Sequence, residues 1–502
     1  MIRCLSCTTA VALGLSAPVA WADVTPEEVW QSWQGLATAA GQDLTFDDAT
    51  QTGDSLVVSG LVLTYTDTLG GSFSASMDRL TFTDNGDGTV SVTMADSYPM
   101  TLAFPDDGEG PTALKLTVTQ PGTVVTAGGS ATETNYAVVA PQVSITLDEG
   151  TGPGGQPLET EADLMLTDMT ASYVVLTKGE ATTLDSTFAA KGMALSLSGK
   201  GLDGGGEGTV TLSLADLAGS TKGNFLGVEI MENMAEALNA GFMTQSSLSF
   251  GAMTLNVDVV EATGPVKLAG SLTGGSFDLT LDKTKTAYST GVTGGAFTAS
   301  GPEIPFPEVA VSFAESAVSF LMPVSKSDQP QDFSMVTKLV DLTVSEDIWA
   351  LVDPAAILSR GPASFVLDVS GTGYWDQDIM DPAVQKDGAQ PPGKLISLTL
   401  REVLAKAVGV EVGATGALTF DNDDLVTFDG VPAPSGSVSI TIKGANGLID
   451  NLIDMGLLPA DEALMPRMML GLLARPGAGA DELTSVIEFK DGGFYANGQK
   501  LK

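Results

Sequence analysis

Apolar and polar residues alternate with a period of two through most of this chain. Ser55–Tyr65, Ser72–Phe82 and Thr89–Ala95 place an apolar side chain at nearly every second position. Residues 114–119, 143–147, 193–198, 210–214, 253–257 and 277–281 do the same, and the pattern returns at 309–313, 365–369, 395–400 and 438–442. A β-strand sends successive side chains to opposite faces, so each segment predicts a strand with one apolar and one polar face. The polar partner is mostly Ser or Thr, which suits a pleated surface wetted on one side. Gly70-Gly71, Asp84-Asn85-Gly86-Asp87-Gly88 and the glycine-rich run Gly204–Gly208 read as turns or loops between strands.

Helical spacing is rarer. Thr25, Pro26 and Glu28 form an N-cap, a first-turn proline and a capping box, and Gly41 supplies the stop. Between them Val29, Trp33, Leu36 and Ala40 make one apolar stripe with Trp30 beside it, the pattern of a helix that plugs one end of a sheet. Phe225–Ala240 carries Val228, Met231, Ala235 and Leu238 on one face and ends at Gly241. Gly447–Met455 and Asp461–Ala474 predict a helical pair across 447–474, with Pro466 kinking or splitting the second member. The fold class is therefore mainly β: one or two long twisted antiparallel sheets, with a few helices packed at the ends or on one face. The three prolines of Gly301–Pro307 mark an expected boundary at 301–308 between β-rich halves, 23–300 and 309–502. The halves are alike in character but share no fixed repeat period.

Residues 1–22 read as a secretory leader. Arg3 gives a short positive start, an apolar stretch runs from Cys4 to Ala17, and Ala20-Trp21-Ala22 supplies small residues for cleavage after Ala22. The apolar stretch is too short to span a bilayer, and no later segment is an uninterrupted membrane span. The expected location is outside the cytoplasm, most simply the periplasm. Both cysteines, Cys4 and Cys7, lie in the leader, so no disulfide is expected beyond it.

Composition narrows the function. With 62 acidic against 23 basic residues the formal net charge is −39, which opposes binding to nucleic acid or to an anionic membrane surface. A hydrophobic content of 43% keeps the chain out of the disordered class. The sequence has no histidine, which removes a Ser-His-Asp triad and the commonest metal ligand. No phosphate-binding or dinucleotide-binding glycine motif stands between a strand and a helix. The expectation is a non-enzymatic protein without a cofactor.

Four local features bear on that expectation. Asp84–Gly88 begins like a calcium loop, but the twelfth position is Ala95 where a closing glutamate is required, so it reads as a hairpin turn. Asp421-Asn422-Asp423-Asp424 has the same two readings. Gly371–Asp378 sets Tyr374 and Trp375 beside Asp376 and Asp378, the residue types of a carboxylate-based glycan hydrolase. Met455, Met465, Met468 and Met469 lie among leucines in the helical pair; they are the candidate ligand-lining residues, since methionine adapts to acyl chains. Core packing is the commoner meaning of such a stripe.

Several blocks carry a family resemblance. They are Val24–Trp30, then Trp349–Pro354 with Arg360–Ala363, then Gly416–Asp421 leading to Pro432–Gly436, and finally Asp481–Ser485 through Ala496–Gln499. They resemble an exported bacterial family known only as a domain of unknown function, number 2125, over most of the chain after the leader. That resemblance implies no catalytic residue. In build the chain is also similar, more distantly, to AsmA-like envelope proteins, whose long sheets shelter lipid. The combined expectation is a periplasmic protein that binds lipid or another hydrophobic molecule, or supports the envelope. The alternatives are a structural or adhesive envelope protein with a closed β core, and the glycan hydrolase. An outer-membrane barrel fits less well, because aromatic residues are only 6% of the chain and helices interrupt the strands.

Overall fold

The computed structural model describes residues 24–501 except 68–69, 105–111, 131, 153–154, 179–180, 201–205, 227 and 387–392. The leader lies outside the described residues. Helix α1 (Pro26–Ala39) is followed by β1 (Asp43–Thr45), β2 (Asp48–Thr52), β3 (Ser55–Thr66), β4 (Ser72–Asp84), β5 (Val90–Met94) and β6 (Ser97–Phe104). Next come β7 (Thr112–Thr119), β8 (Val124–Ser130), β9 (Glu133–Thr151), β10 (Thr160–Lys178), β11 (Ala181–Lys200) and β12 (Glu207–Phe225). Helices α2 (Val228–Met231) and α3 (Met234–Asn239) lead to β13 (Thr244–Phe250), β14 (Met253–Glu261), β15 (Gly264–Leu272) and β16 (Gly274–Leu281). Then come β17 (Lys285–Ser300), β18 (Val309–Pro323), β19 (Gln331–Val344), α4 (Glu346–Val352), β20 (Ala363–Trp375) and α5 (Pro382–Lys386). The chain closes with β21 (Gly393–Ala407), β22 (Val410–Asp421), β23 (Ala433–Lys443), α6 (Ala445–Asp454), α7 (Leu464–Leu473), β24 (Arg475–Pro476), β25 (Glu482–Lys490), β26 (Gly493–Ala496) and β27 (Gln499–Lys500).

All of these strands join one 27-stranded antiparallel sheet. Its order follows the chain almost without exception, each strand pairing with the next as in a continuous meander. Where one long strand is replaced by two short ones, the pair lies end to end: β5 with β6, β7 with β8, β13 with β14, and β15 with β16. Residues 301–308 form the connection between the paired strands β17 and β18. One sheet spans both halves, because hydrogen bonding continues unbroken across the proline-rich link. Among the described residues no pairing joins the first strands to the last, and no helix is long and apolar enough to cross a membrane.

One row of paired residues crosses the whole sheet and names its apolar face. It starts at Leu56, Phe82, Val92, Val125 and Val138 and passes through Ala171, Phe188, Gly219, Leu248, Phe277 and Thr290. It continues through Val318, Thr337, Leu367, Val403, Ala414 and Ile440. Paired residues share a face, and strands lie about 4.8 Å apart, so this single apolar track is roughly 80 Å long.

A second line crosses the same strands and kinks them. Gly60, Asp168, Asp216, Gly294 and Asp341 all have positive φ inside their strands. The register places Asp168 opposite Pro141, Asp216 opposite Lys191, Gly294 opposite Ala314, and Ala314 opposite Asp341. Several neighbouring strands are split into the short pairs β5/β6, β7/β8, β13/β14 and β15/β16. A left-handed residue turns the strand by half a step, so the alternation changes phase there. In β12 the face carries Val210, Leu212 and Leu214 before Asp216, and Leu217 and Gly219 after it. The kink keeps apolar residues on one face along strands too long to stay straight.

The amino-terminal end of the track is closed by α1. The capping box of α1 forms as expected, with the Glu28 amide donating to Thr25 Oγ1 at 3.3 Å and the Thr25 amide to Glu28 Oε2 at 2.9 Å. Trp30 and Val29 of α1 pack with Leu56, Val58, Leu80, Phe82, Val90, Val92 and Val125 into a fully buried cluster. Phe82 meets Trp30 at 5.8 Å and Trp33 at 5.5 Å between ring centroids. The helix therefore plugs the amino-terminal end of the sheet. The run expected as one helix from Phe225 to Ala240 is instead the end of β12 followed by the short α2 and α3, capped by Asn233. Gly206–Gly208, expected in a loop, leads into β12; residues 204–205 lie outside the described residues. Pro466 does not split α7; it lies in the first turn, where its missing N–H costs no hydrogen bond.

Candidate apolar site

Beyond the plugged end, the apolar face is uncovered over β18–β20. Val318, Phe320, Met335 and Phe365 lie on this face and are between 39% and 48% exposed. Large apolar side chains gathered this densely and left wet mark an interaction site. Near the strand ends the face deepens into a cleft of about 520 Å3, lined by Phe320, Met322, Phe333, Met335, Trp375 and Leu395 among others, with no Asp or Glu in its lining.

Glycines shape this cleft. A Cβ at Gly371 would stand 2.5 Å from Phe333 Cζ, and one at Gly393 would stand 2.5 Å from Trp375 Cε3. The missing side chains let both rings lie against the opposing backbone. Trp375 is fixed further by donating from Nε1 to the Pro323 carbonyl at 2.7 Å. Phe320 stacks on Tyr288 at 5.6 Å, and Tyr288 meets Phe277 edge-on at 5.4 Å, so the aromatic surface continues away from the cleft. At the opposite ends of the strands a second hollow of about 340 Å3 is lined by Leu339, Phe365, Val410, Val412 and Leu448 of α6. Leu367, Val369, Leu400 and Val403 connect the two hollows along paired positions.

The residues singled out in the sequence fall into different roles. Asp378 accepts from the Lys326 amide at 2.7 Å and from Asn239 Nδ2 at 3.2 Å, tying α3 to the loops beside β18 and β20. Asp84 and Asp87 accept from the Gly86 and Thr89 amides, and Asp424 accepts from the Val426 and Thr427 amides; both segments are turns closed on themselves. Met465, Met468 and Met469 stand on the open side of α7, and Met455 is half-buried at the C-cap of α6. None of these four methionines lines the cleft. The cleft residues escaped sequence reading because aromatic and glycine positions on separate strands meet only once the register is known.

The first and last of the carboxy-terminal sequence blocks act as fastenings, and the middle one lies in and beside the paired strands β22 and β23. Asp353, fully buried, accepts from the Ile357 amide at 3.1 Å and the Leu358 amide at 2.8 Å, and Arg360 Nη1 lies 3.0 Å from its Oδ2. Arg360 also lies 4.6 Å from the centre of the Trp349 ring. Loss of hydration pushes the Asp353 pKa up, yet the two amides and the guanidinium outweigh it and hold the carboxyl below its usual range. Asp481 accepts from the Asn446 and Gly447 amides at the start of α6, and Asn497 joins the Val486 amide to the Leu473 carbonyl at the end of α7. The first set closes the loop after α4 onto the helix, and the other two fix α6 and α7 against β25 and the segment around it.

Residues 256–501 match the family described as "Uncharacterized protein conserved in bacteria (DUF2125)". The match takes in the three carboxy-terminal blocks but not Val24–Trp30, so it is narrower than the blocks implied. None of the curated proteins is significantly similar to the chain. A solved structure, "Crystal structure of ferric citrate transporter FecA in the unliganded form", aligns with 91% of this chain and 76% of that one at 8% identity and a TM-score of 0.16. A likeness at that score carries no argument. Nothing in these comparisons supports a relationship to AsmA-like proteins.

Proposed function

Because the carboxy-terminal half of the chain, residues 256–501, belongs to a bacterial family without an assigned activity, we propose from the geometry that this protein is a non-enzymatic binder of an apolar molecule. The ligand is held on the uncovered face of the sheet. The observation that carries the reading is the continuous apolar track: it is buried under α1 at Phe82 and emerges wet at Val318, Phe320 and Met335. The cleft's volume of about 520 Å3 lies within the range of roughly 300–1,000 Å3 usual for pockets that hold one small molecule. Lipid is the ligand class this surface suits best, and the leader at 1–22 supports a place in the periplasm, where envelope lipids are available.

A structural protein with a closed β core would need a second layer over this face, and among the described residues none covers β18–β20 there. A carboxylate hydrolase would need two acids facing one cleft, whereas the lining of this cleft holds none. The test is mass spectrometry of an organic extract of the full chain, purified without detergent, together with uptake of a fluorescent long-chain alcohol. A stoichiometric apolar molecule in the wild type, and loss of probe uptake in a folded Met335→Asp variant, would support the reading. A lipid-free protein that takes up no probe would refute it.

A further inference from the structure

The helical pair at the carboxy terminus carries a second apolar surface, separate from the cleft. On α7, Leu464, Met465, Met468, Met469 and Leu472 are each between 51% and 65% exposed. Their spacing of i, i+1, i+4, i+5 and i+8 puts them on one side of the helix. The helix is held from its other side, where Ala463 is buried and the Leu473 carbonyl accepts from Ser485 Oγ at 2.6 Å and from Asn497 Nδ2 at 2.9 Å.

The local charge is unlike that of the rest of the chain. From Ala463 to Ala480 there is no Asp or Glu, in a protein with 62 of them. The two cations in this stretch are both engaged. Arg467 pairs with Asp450 of α6, and Arg475 donates to the Asn497 carbonyl. The exposed side of α7 is thus an uncharged ridge of leucine and methionine. Asp461 and Glu462 stand just before the helix, but at physiological salt charges more than about 8 Å away are largely screened, so most of the net −39 does not reach this ridge.

We propose that α7 seats the protein on an uncharged lipid surface, its ridge lying in the interfacial layer. Two arguments favour lipid over a protein partner. A helix of ten residues is about 15 Å long, and one side of it falls well short of the roughly 800 Å2 per partner of a stable protein interface. The ridge also offers no free hydrogen-bonding group and no aromatic anchor, the features by which protein interfaces are fixed. A bilayer needs neither, since an amphipathic helix binds it by apolar burial alone where charge is absent.

The test is flotation of the full chain with phosphatidylcholine vesicles at physiological salt. Wild type is expected to float, and a Met465→Glu/Met468→Glu double variant to lose at least tenfold of the floating fraction. Met335→Asp, which alters only the cleft, should float as wild type does. In a separate Leu472→Trp variant, brominated phosphatidylcholine should quench a larger share of the tryptophan emission than it does in wild type. Wild type left at the bottom of the gradient would overturn the proposal, as would undiminished flotation of the double variant. Loss of flotation in Met335→Asp would assign the binding to the cleft instead. A wild-type dimer broken by the double substitution, without flotation, would assign the ridge to a second copy of the chain.

Discussion

Two phenylalanines on the same face of the same sheet should differ sharply in what they contribute, and the difference measures whether that face is open. Phe82 is 0% exposed and wedged against Trp30 and Trp33. Truncating it to alanine leaves a cavity that α1 cannot collapse, so Phe82→Ala should cost about 3–5 kcal/mol. Phe320 is 39% exposed. Full burial of such a side chain contributes roughly 1.5–3 kcal/mol, and with about three-fifths of that realised the loss is about 1–2 kcal/mol. No cavity term is added, because water enters the space. Urea unfolding of the ligand-free protein, followed by far-UV circular dichroism, gives both values. An apolar ligand at about 100 times its Kd should stabilise wild type by roughly 2.7 kcal/mol, and Phe320→Ala should lose most of that gain. If Phe320→Ala costs as much as Phe82→Ala without ligand, the face is covered and the reasoning fails.

Two further outcomes follow from the kinks and the fastenings. Asp216 has a φ of 51° within β12; Asp216→Gly should be neutral or stabilising by up to about 1 kcal/mol, whereas Asp216→Val should cost roughly 1–3 kcal/mol, and equal thermal midpoints for the two would contradict the assigned strain. Asp353 is held below its usual pKa, so its contribution is complete above the unfolded value near 3.9 and is lost as pH falls through the folded one. Arg360→Met removes one of the forces holding it low, and acid unfolding followed by circular dichroism should then begin at a higher pH than in wild type; superimposable acid limbs would show that Arg360 does not act on Asp353.

Much of the fold was legible because strand alternation is a local signal, but the kinks limited how far it could be read. Val143–Leu147 of β9, Met193–Ser198 of β11, Val210–Leu214 of β12 and Val309–Phe313 of β18 were recognisable, and each lies on one side of the kink line. The other half of each strand is out of phase with the first, so a fixed period of two stops matching at the kink. β10 was missed for the same reason: its apolar positions shift from Leu164 and Leu166 to Ala171 and Val175 across Asp168. The α1 cap was legible to the atom, since a capping box depends only on residues three apart. The cleft was not, because Phe333, Gly371, Trp375 and Gly393 become neighbours through pairing that no local rule specifies.

The acidity of the chain gains a structural reason from this architecture. A sheet with one wet apolar face and unpaired edges is a template for association with other copies of itself. Here the edge strands β1 and β2 carry exposed Asp43 and Asp48, and carboxylates recur on the polar face at Asp163 and Asp258. A net charge of −39 keeps such molecules apart by repulsion. Repulsion between separate molecules acts through solvent and is weakened by salt, whereas the apolar attraction is not. Raising salt from physiological strength to 1 M shortens the screening length from about 8 to about 3 Å, so light scattering should report growing association of the ligand-free protein over that range. Met335→Asp, by placing a charge on the apolar face, should reduce that association. Ligand should reduce it too, by covering the face. A mass that stays constant across the salt series would mean that the open face is not what the charge protects.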